Sequence, residues 1–244
     1  MDARAGRIYR ARMALPLLLL PGLLCDARLW RDVLPPLAGL AAPRVADLTQ
    51  RDSIAGMARD ALAVMEDAPR FALAGLSMGG YVAFEIMRRA PARVTHLALL
   101  DTSARADAPE QTERRQALIA LSRQGQFRGV TPRLLPLLLH PAQQKGALAE
   151  EVMAMAERVG PEAFLRQQTA IMGRPDSRPL LPRIAVPTLI ACGEEDALTP
   201  PALHEEMAAL IPGARLRRFA GAGHLPSMEQ PLAVAEAMAE WLRG

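Results

Sequence analysis

Cysteine is scarce in this 244-residue chain, and the two present, Cys25 and Cys192, stand in no CxxC or clustered Cys/His spacing. That excludes a disulfide framework and a structural metal site, and makes a reducing, cytoplasmic setting the expectation. Aromatic residues are 4% of the sequence and the formal net charge is only +3. The pI of about 9.4 comes mainly from arginines that are scattered, with doublets at Arg88-Arg89, Arg114-Arg115 and Arg217-Arg218 and no interleaved aromatics. The footprint of a nucleic-acid groove is therefore missing. No unbroken apolar stretch has the length of a membrane span. One segment imitates an export signal: Arg4, Arg7, Arg10 and Arg12 precede the apolar run Leu15 to Leu24. Leu24 is larger than the residue a cleavage site wants, no A-x-A follows, and Pro16 and Pro21 interrupt the run. The stretch reads better as a buried strand, Leu15–Leu20, ended by the Pro21-Gly22 turn, with translation starting at Met1 or Met13.

What is present is half apolar residues and enough length for one large core. Short apolar runs alternate with helical patterns, which predicts an α/β fold with a mostly parallel central sheet flanked by helices. The strands are expected at Leu15–Leu20, Arg44–Leu48, Phe71–Leu76, Val94–Leu100, Thr188–Cys192 and Arg215–Phe219. Helices are expected at Ser53–Met65, capped by Asp52, at Met78–Arg89, and at Pro231–Leu242 with proline at its start. Residues 104–181 carry no convincing strand, only helical patterns broken by Gly125, Pro132, Pro136, Pro141, Gly160, Pro161 and Pro175.

Gly75-Leu76-Ser77-Met78-Gly79-Gly80 lies between an expected strand and an expected helix, the context of a nucleophile elbow. Glycines are needed there because a serine on a tight strand-to-helix turn is strained and side chains beside it would clash. The helix also aims its positive end at a developing oxyanion. A serine hydroxyl needs a base within hydrogen-bond reach and a third group to fix the base's tautomer. Of four histidines, His96 falls inside a strand and reads as core. His204, beside Glu205 and Glu206, reads as surface, and His140 ends an apolar run in the helical region. His224 follows Gly221-Ala222-Gly223 just after the last strand, where catalytic groups tend to be placed. Asp196, in Gly193-x-x-Asp196-x-x-x-Pro200, supplies a carboxylate on the neighbouring loop. Asp101, immediately after the strand Val94–Leu100, is the rival acid.

The order Ser77, Asp196, His224 at successive strand ends resembles the α/β-hydrolase family over nearly the whole chain. The resemblance implies an oxyanion hole made by the backbone N–H groups of Met78 and of Leu23, in a loop that begins Pro21-Gly22-Leu23 where the family usually has His-Gly-x. It also implies that residues 104–181 form a helical cap inserted into a core of residues 1–103 and 182–244, and that two further strands are missing or lie before Leu15. Serine at the elbow argues against dehalogenases and epoxide hydrolases, which use aspartate there.

The activity implied is hydrolysis of carboxylic esters, or related lactones and thioesters, of small molecules through a Ser-His-Asp triad and an acyl-enzyme. No cofactor, no metal, no nucleic acid and no membrane are expected. Perhydrolase or haloperoxidase activity, C–C or enol-lactone hydrolysis, and a non-catalytic ligand-binding role are the alternatives. Within the cap, Arg133, His140 and Arg166 are candidate substrate contacts, and Leu134, Leu135, Leu137–Leu139, Met153, Met155, Phe164, Leu165, Ile171 and Met172 are the apolar residues from which an acyl pocket would be lined. Cys25 reads as a small buried residue.

Overall fold

The structure, a computed structural model, describes residues 14–244. The arginine-rich start, Met13 and any earlier strand lie outside the described residues. Along the chain run β1 (Leu15–Leu20), β2 (Ala41–Val45), α1 (Ile54–Ala63), β3 (Phe71–Leu76), α2 (Met78–Arg89) and β4 (Val94–Leu100). Then follow α3 (Pro109–Leu121), α4 (Leu135–Leu138), α5 (Ala147–Met172), β5 (Thr188–Gly193), α6 (Pro201–Leu210), β6 (Arg215–Phe219), α7 (Pro226–Glu229) and α8 (Pro231–Arg243). The strands form one sheet in the order β2-β1-β3-β4-β5-β6, every neighbouring pair parallel.

The inner strands read as continuous apolar runs because both faces of the sheet are covered. Successive side chains point to opposite faces. Leu17, Leu19, Ala72, Ala74, Leu100 and Ala191 therefore pack with Trp30 and α8, whereas Leu18, Leu20, Leu73, Leu99 and Ile190 pack with α1, α2 and α6.

Two expectations move. β2 covers Ala41–Val45 rather than Arg44–Leu48. Pro43, which argues against a strand, is tolerated because β2 is an edge strand and pairs only with β1. The cap of α1 is Ser53, whose Oγ accepts from the Gly56 N–H at 3.2 Å, not Asp52.

Between β4 and β5 the chain forms helices joined by turns and irregular loops, and no strand. Gly160, at φ 80°, and Pro161 break α5 into two helical pieces. Much of this region's apolar content joins the main core: Leu135, Leu139 and Met155 on one side of the sheet, Ile171 on the other. Phe164 differs, packing with Leu24 and Ala156, with Leu23, Phe127, Val130 and Val159 around them.

The chain leaves β1 for β2 on one side and returns to β3 on the other, so the strand order reverses between β1 and β3. Such a reversal marks the carboxyl end of the sheet, beyond β1 and β3, as the place where open α/β sheets put their ligands.

Candidate active site

Ser77 sits at the end of β3, with φ 55° and ψ −118°, a strained conformation for a residue with a side chain. Neighbouring bonds impose it. The Ser77 N–H donates to Leu100 O at 3.0 Å, and the Ser77 carbonyl accepts from the Gly80 N–H at 2.9 Å and the Thr102 hydroxyl at 2.8 Å. The glycines are steric necessities: a Cβ on Gly75 would lie 2.4 Å from Gly79 O, and one on Gly79 would lie 2.1 Å from Leu20 O.

His224 Nε2 lies 2.9 Å from Ser77 Oγ, and His224 Nδ1 lies 2.8 Å from Asp196 Oδ2. Asp196 is bonded on both oxygens. Its Oδ1 accepts from the N–H groups of Leu198 and Thr199 at 2.8 and 3.0 Å, and its Oδ2 also accepts from the Thr199 hydroxyl at 2.6 Å. Burial works against ionisation here, but the charge of His224 and these hydrogen bonds outweigh it and hold the Asp196 carboxyl down at about 2. The His224 loop is pinned by Glu229: its Oε1 accepts from the N–H groups of Gly223 and Leu225 at 2.9 and 3.2 Å, and its Oε2 accepts from His140 N–H at 2.7 Å. The His224 N–H donates to Leu138 O at 2.9 Å, so the end of α4 is fastened to the same loop.

The loop after β1 lies against the serine: a Cβ on Gly22 would be 3.3 Å from Ser77 Cβ. Met78 opens α2, and its N–H has no acceptor within the helix. Leu24, next to Leu23, adopts φ 58° and donates its N–H to Gln167 Oε1 at 3.0 Å. Gln167, fully buried on α5, donates in turn to Leu48 O at 3.2 Å.

Ser77, His224 and Asp196 are thus brought together; the rival acid Asp101 lies behind Asp196, with Oδ1 accepting from the Gly193 N–H at 2.9 Å. The three cap candidates do not hydrogen-bond to that chain. Arg133 is exposed, Arg166 Nε donates to Thr49 O at 2.7 Å, and His140 Nδ1 accepts from Ala142 N–H at 3.2 Å. His204 is fully buried rather than on the surface. Its Nε2 accepts from the Thr102 N–H at 3.0 Å, and burial holds it neutral, down to about 4. Glu205 and Glu206 mislead because adjacent helix positions point in different directions. His96 is part-buried, edge-on to Trp241 at 5.8 Å between ring centres. Cys25 is buried, and burial first, then the charge of Asp26, pushes its thiol up to about 12.

Gln167, Thr199 and Glu229 carry no sequence signal of comparable strength to the elbow. For Thr199 a weak one exists: an aspartate three residues before a threonine can bond the N–H groups two and three positions on. Among the described residues, Asp101, Asp196 and His224 form a group whose ligating atoms lie within 4.8 Å of one another. Both His224 nitrogens are engaged by Asp196 and Ser77, which leaves the group poorly suited to a cation. No helix among the described residues is long and apolar enough to cross a membrane.

The family model described as "Alpha/beta hydrolase family" matches residues 17–237. A pimeloyl-[acyl-carrier protein] methyl ester esterase of Neisseria meningitidis is 32% identical over 193 residues, covering 77% of this chain and 75% of the relative. Among solved structures, a thermophilic esterase from Thermogutta terrifontis superposes with a TM-score of 0.86 at 32% identity, covering 94% of this chain and 90% of that one. The enol-lactonase from Burkholderia xenovorans LB400 superposes with a TM-score of 0.83 at 25% identity, covering 96% and 94%.

Proposed function

The chain belongs to the alpha/beta hydrolase family, and from that premise we propose a serine hydrolase of small-molecule carboxylic esters, with Ser77 as nucleophile, His224 as general base and Asp196 as the orienting acid. Ester hydrolysis agrees with the relatives, which include esterases and an enol-lactonase. The observation that carries the triad reading is the unbroken chain from Asp196 Oδ2 through both His224 nitrogens to Ser77 Oγ, at 2.8 and 2.9 Å.

In this reading Ser77 Oγ attacks the ester carbonyl while His224 Nε2 takes its proton, and Asp196 holds Nδ1–H and stabilises the imidazolium. The N–H groups of Met78 and Leu23 receive the oxyanion. His224 then gives the proton to the leaving alkoxide, and water attacks the acyl-enzyme with the same base, regenerating Ser77 and releasing the acid. Burial opposes ionisation of Asp196, but His224 and the hydrogen bonds of Thr199 hold its carboxyl down at about 2, so the orienting acid is a carboxylate at neutral pH. Hydrolysis of a short-chain ester by the wild-type protein, abolished by a fluorophosphonate, tests the proposal.

Gln167 enters as a positioning residue for Leu23, because it holds the strained Leu24 N–H. Gln167→Ala leaves that N–H buried without a partner, costing about 1–3 kcal/mol of stability. It is expected to lower kcat roughly tenfold, less than the 100-fold or more for outright loss of an oxyanion donor, with KM little changed. Steady-state kinetics and a melting curve on the one variant check both parts.

Residues 104–181 are proposed as a cap on a core of residues 1–103 and 182–244. Support comes from its contacts: Gln167 bonds the loop after β1, and Leu138 O bonds the His224 loop. The Phe127–Phe164 pair, 5.3 Å between ring centres, packs beside Leu23 and Leu24, which favours an apolar acyl pocket there. Arg133 and Arg166 are proposed as contacts for an acidic group on the substrate, and His140 as a residue lining the pocket. Arg133→Ala and Arg166→Ala are expected to slow carboxylate-bearing esters roughly tenfold, about 1.4 kcal/mol, and to leave uncharged analogues unchanged. Equal rates on both ester classes would remove the acidic-substrate part and leave an enzyme of apolar esters.

A further inference from the structure

Behind the His224–Asp196 pair lies a carboxyl that the proposed mechanism does not use. Asp101 follows β4 directly, is fully buried, and has its backbone in the left-handed region at φ 43°. Its N–H donates to Ala191 O at 2.9 Å and its Oδ1 accepts from the Gly193 N–H at 2.9 Å, so it is clamped to the end of β5. Its other oxygen, Oδ2, is buried without a hydrogen-bond partner. A carboxylate oxygen of Asp196 lies within 4.8 Å of a carboxyl oxygen of Asp101, and Asp196 itself only accepts, from Leu198, Thr199 and His224. An ionised carboxylate only accepts. Two of them here would put like charges in a water-excluded site with no donor between them, and the missing donor is a proton.

We infer that Asp101 is a neutral carboxylic acid whose O–H donates to Asp196, a positioning residue for the His224–Asp196 pair rather than a spare triad acid. The inference rests on the triad reading above. Burial is the main influence that pushes the Asp101 carboxyl well above the usual range; the charge of Asp196 adds to it, and the Gly193 N–H opposes it. The titratable groups around Asp101 are Cys192 on β5, Asp196 and His224 on the strand-end loops, Glu229 on α7 and His204 on α6. Among the described residues no arginine or lysine forms an ion pair with it. The pair therefore carries one negative charge instead of two. That matters for the base: a second charge would stabilise the His224 imidazolium further and keep the histidine protonated when it must accept a proton.

Asp101→Asn tests this, because the amide preserves both bonds: its oxygen takes the Gly193 N–H and its NH2 donates to Asp196. The expected result is kcat/KM within about threefold of wild type and an acidic limb of the pH–rate profile displaced by less than about 0.3 pH units. A limb displaced to lower pH by about one unit or more would mean that a negative charge had been removed from beside His224, and would overturn the proposal. Asp101→Leu, of similar size but without a donor, is expected to lose at least tenfold that Asn retains; a Leu variant as active as the Asn variant would overturn the positioning role. A third measurement needs no variant and no turnover. Infrared spectra of wild-type protein carrying 13C-carboxyl aspartate should show one protonated aspartate C=O band persisting at pH 7.5, and absence of that band overturns the inference even if Ser77 labels normally. A band present with no labelling at Ser77 would instead refute the triad reading alone.

Discussion

Ser77→Ala is expected to lower ester hydrolysis by at least 1,000-fold while leaving the fold and melting temperature nearly unchanged. The loss is large because, among the described residues, Ser77 Oγ is the hydroxyl that His224 Nε2 addresses, at 2.9 Å, and removal of a triad member elsewhere costs about 10⁴–10⁶ in kcat. The fold survives because Ser77 Oγ has no structural duty: the bonds that shape the elbow run through the Ser77 backbone N–H and carbonyl, to Leu100, Gly80 and Thr102. Alanine keeps all of them and relieves nothing at φ 55°. The check is a kcat measurement beside a thermal melt, and more than about one hundredth of wild-type activity in the variant would count against Ser77 as nucleophile.

Asp196→Asn is expected to cost about 10³–10⁴ in kcat with little change in KM. The reason lies in how the amide must sit. Asp196 Oδ1 accepts from two backbone N–H groups, those of Leu198 and Thr199, so the amide oxygen takes that place and the NH2 falls where Oδ2 now meets His224 Nδ1. An NH2 there forces Nδ1 to accept, moves the imidazole proton to Nε2 and points an N–H at Ser77. The base is then in the wrong tautomer, though its position is hardly altered. The folded-state carboxyl is depressed from 3.8 to about 2, so Asp196 contributes stability that is present above pH 3.8 and lost as pH falls through about 2, on the order of 2 kcal/mol. The Asn variant should lack that part of acid denaturation. Kinetics at pH 7 together with acid melts of both proteins check the two claims, and wild-type kcat in the variant would contradict the orienting role.

The sheet was legible because three of its strands are short apolar runs stopped by proline, glycine or charge, and their bounds agree with the structure: Leu15–Leu20, Phe71–Leu76 and Val94–Leu100. The bounds of Arg215–Phe219 agree too, although this edge strand carries three arginines and buries only Phe219. β2 was displaced by three residues because Pro43 is forbidden in an inner strand but not at an edge, and the edge position is a fact of topology, not of local sequence. That Ser77, Asp196 and His224 would meet was legible because each comes just after a strand, at the same end of the sheet. The groups that hold them were not. Gln167 meets Leu24 and Leu48 across 143 and 119 residues, and His204 meets Thr102 across 102. A polar side chain inside a helix gives no local sign that it faces inward. Asp101 was visible as a carboxylate at a strand end, but both carboxyls are buried and only their partners separate them, the Gly193 N–H for Asp101 and His224 Nδ1 for Asp196.

Fluorophosphonate labelling followed by peptide mapping identifies the nucleophile itself, because the reagent traps a serine only when a base has activated it. One covalent adduct is expected, on the peptide containing Ser77, in wild-type protein at neutral pH. None is expected in Ser77→Ala, and labelling should be slowed at least 100-fold in Asp196→Asn. An adduct on any other residue, or unmodified Ser77 in a folded protein that still hydrolyses esters, would contradict Ser77 as the activated nucleophile.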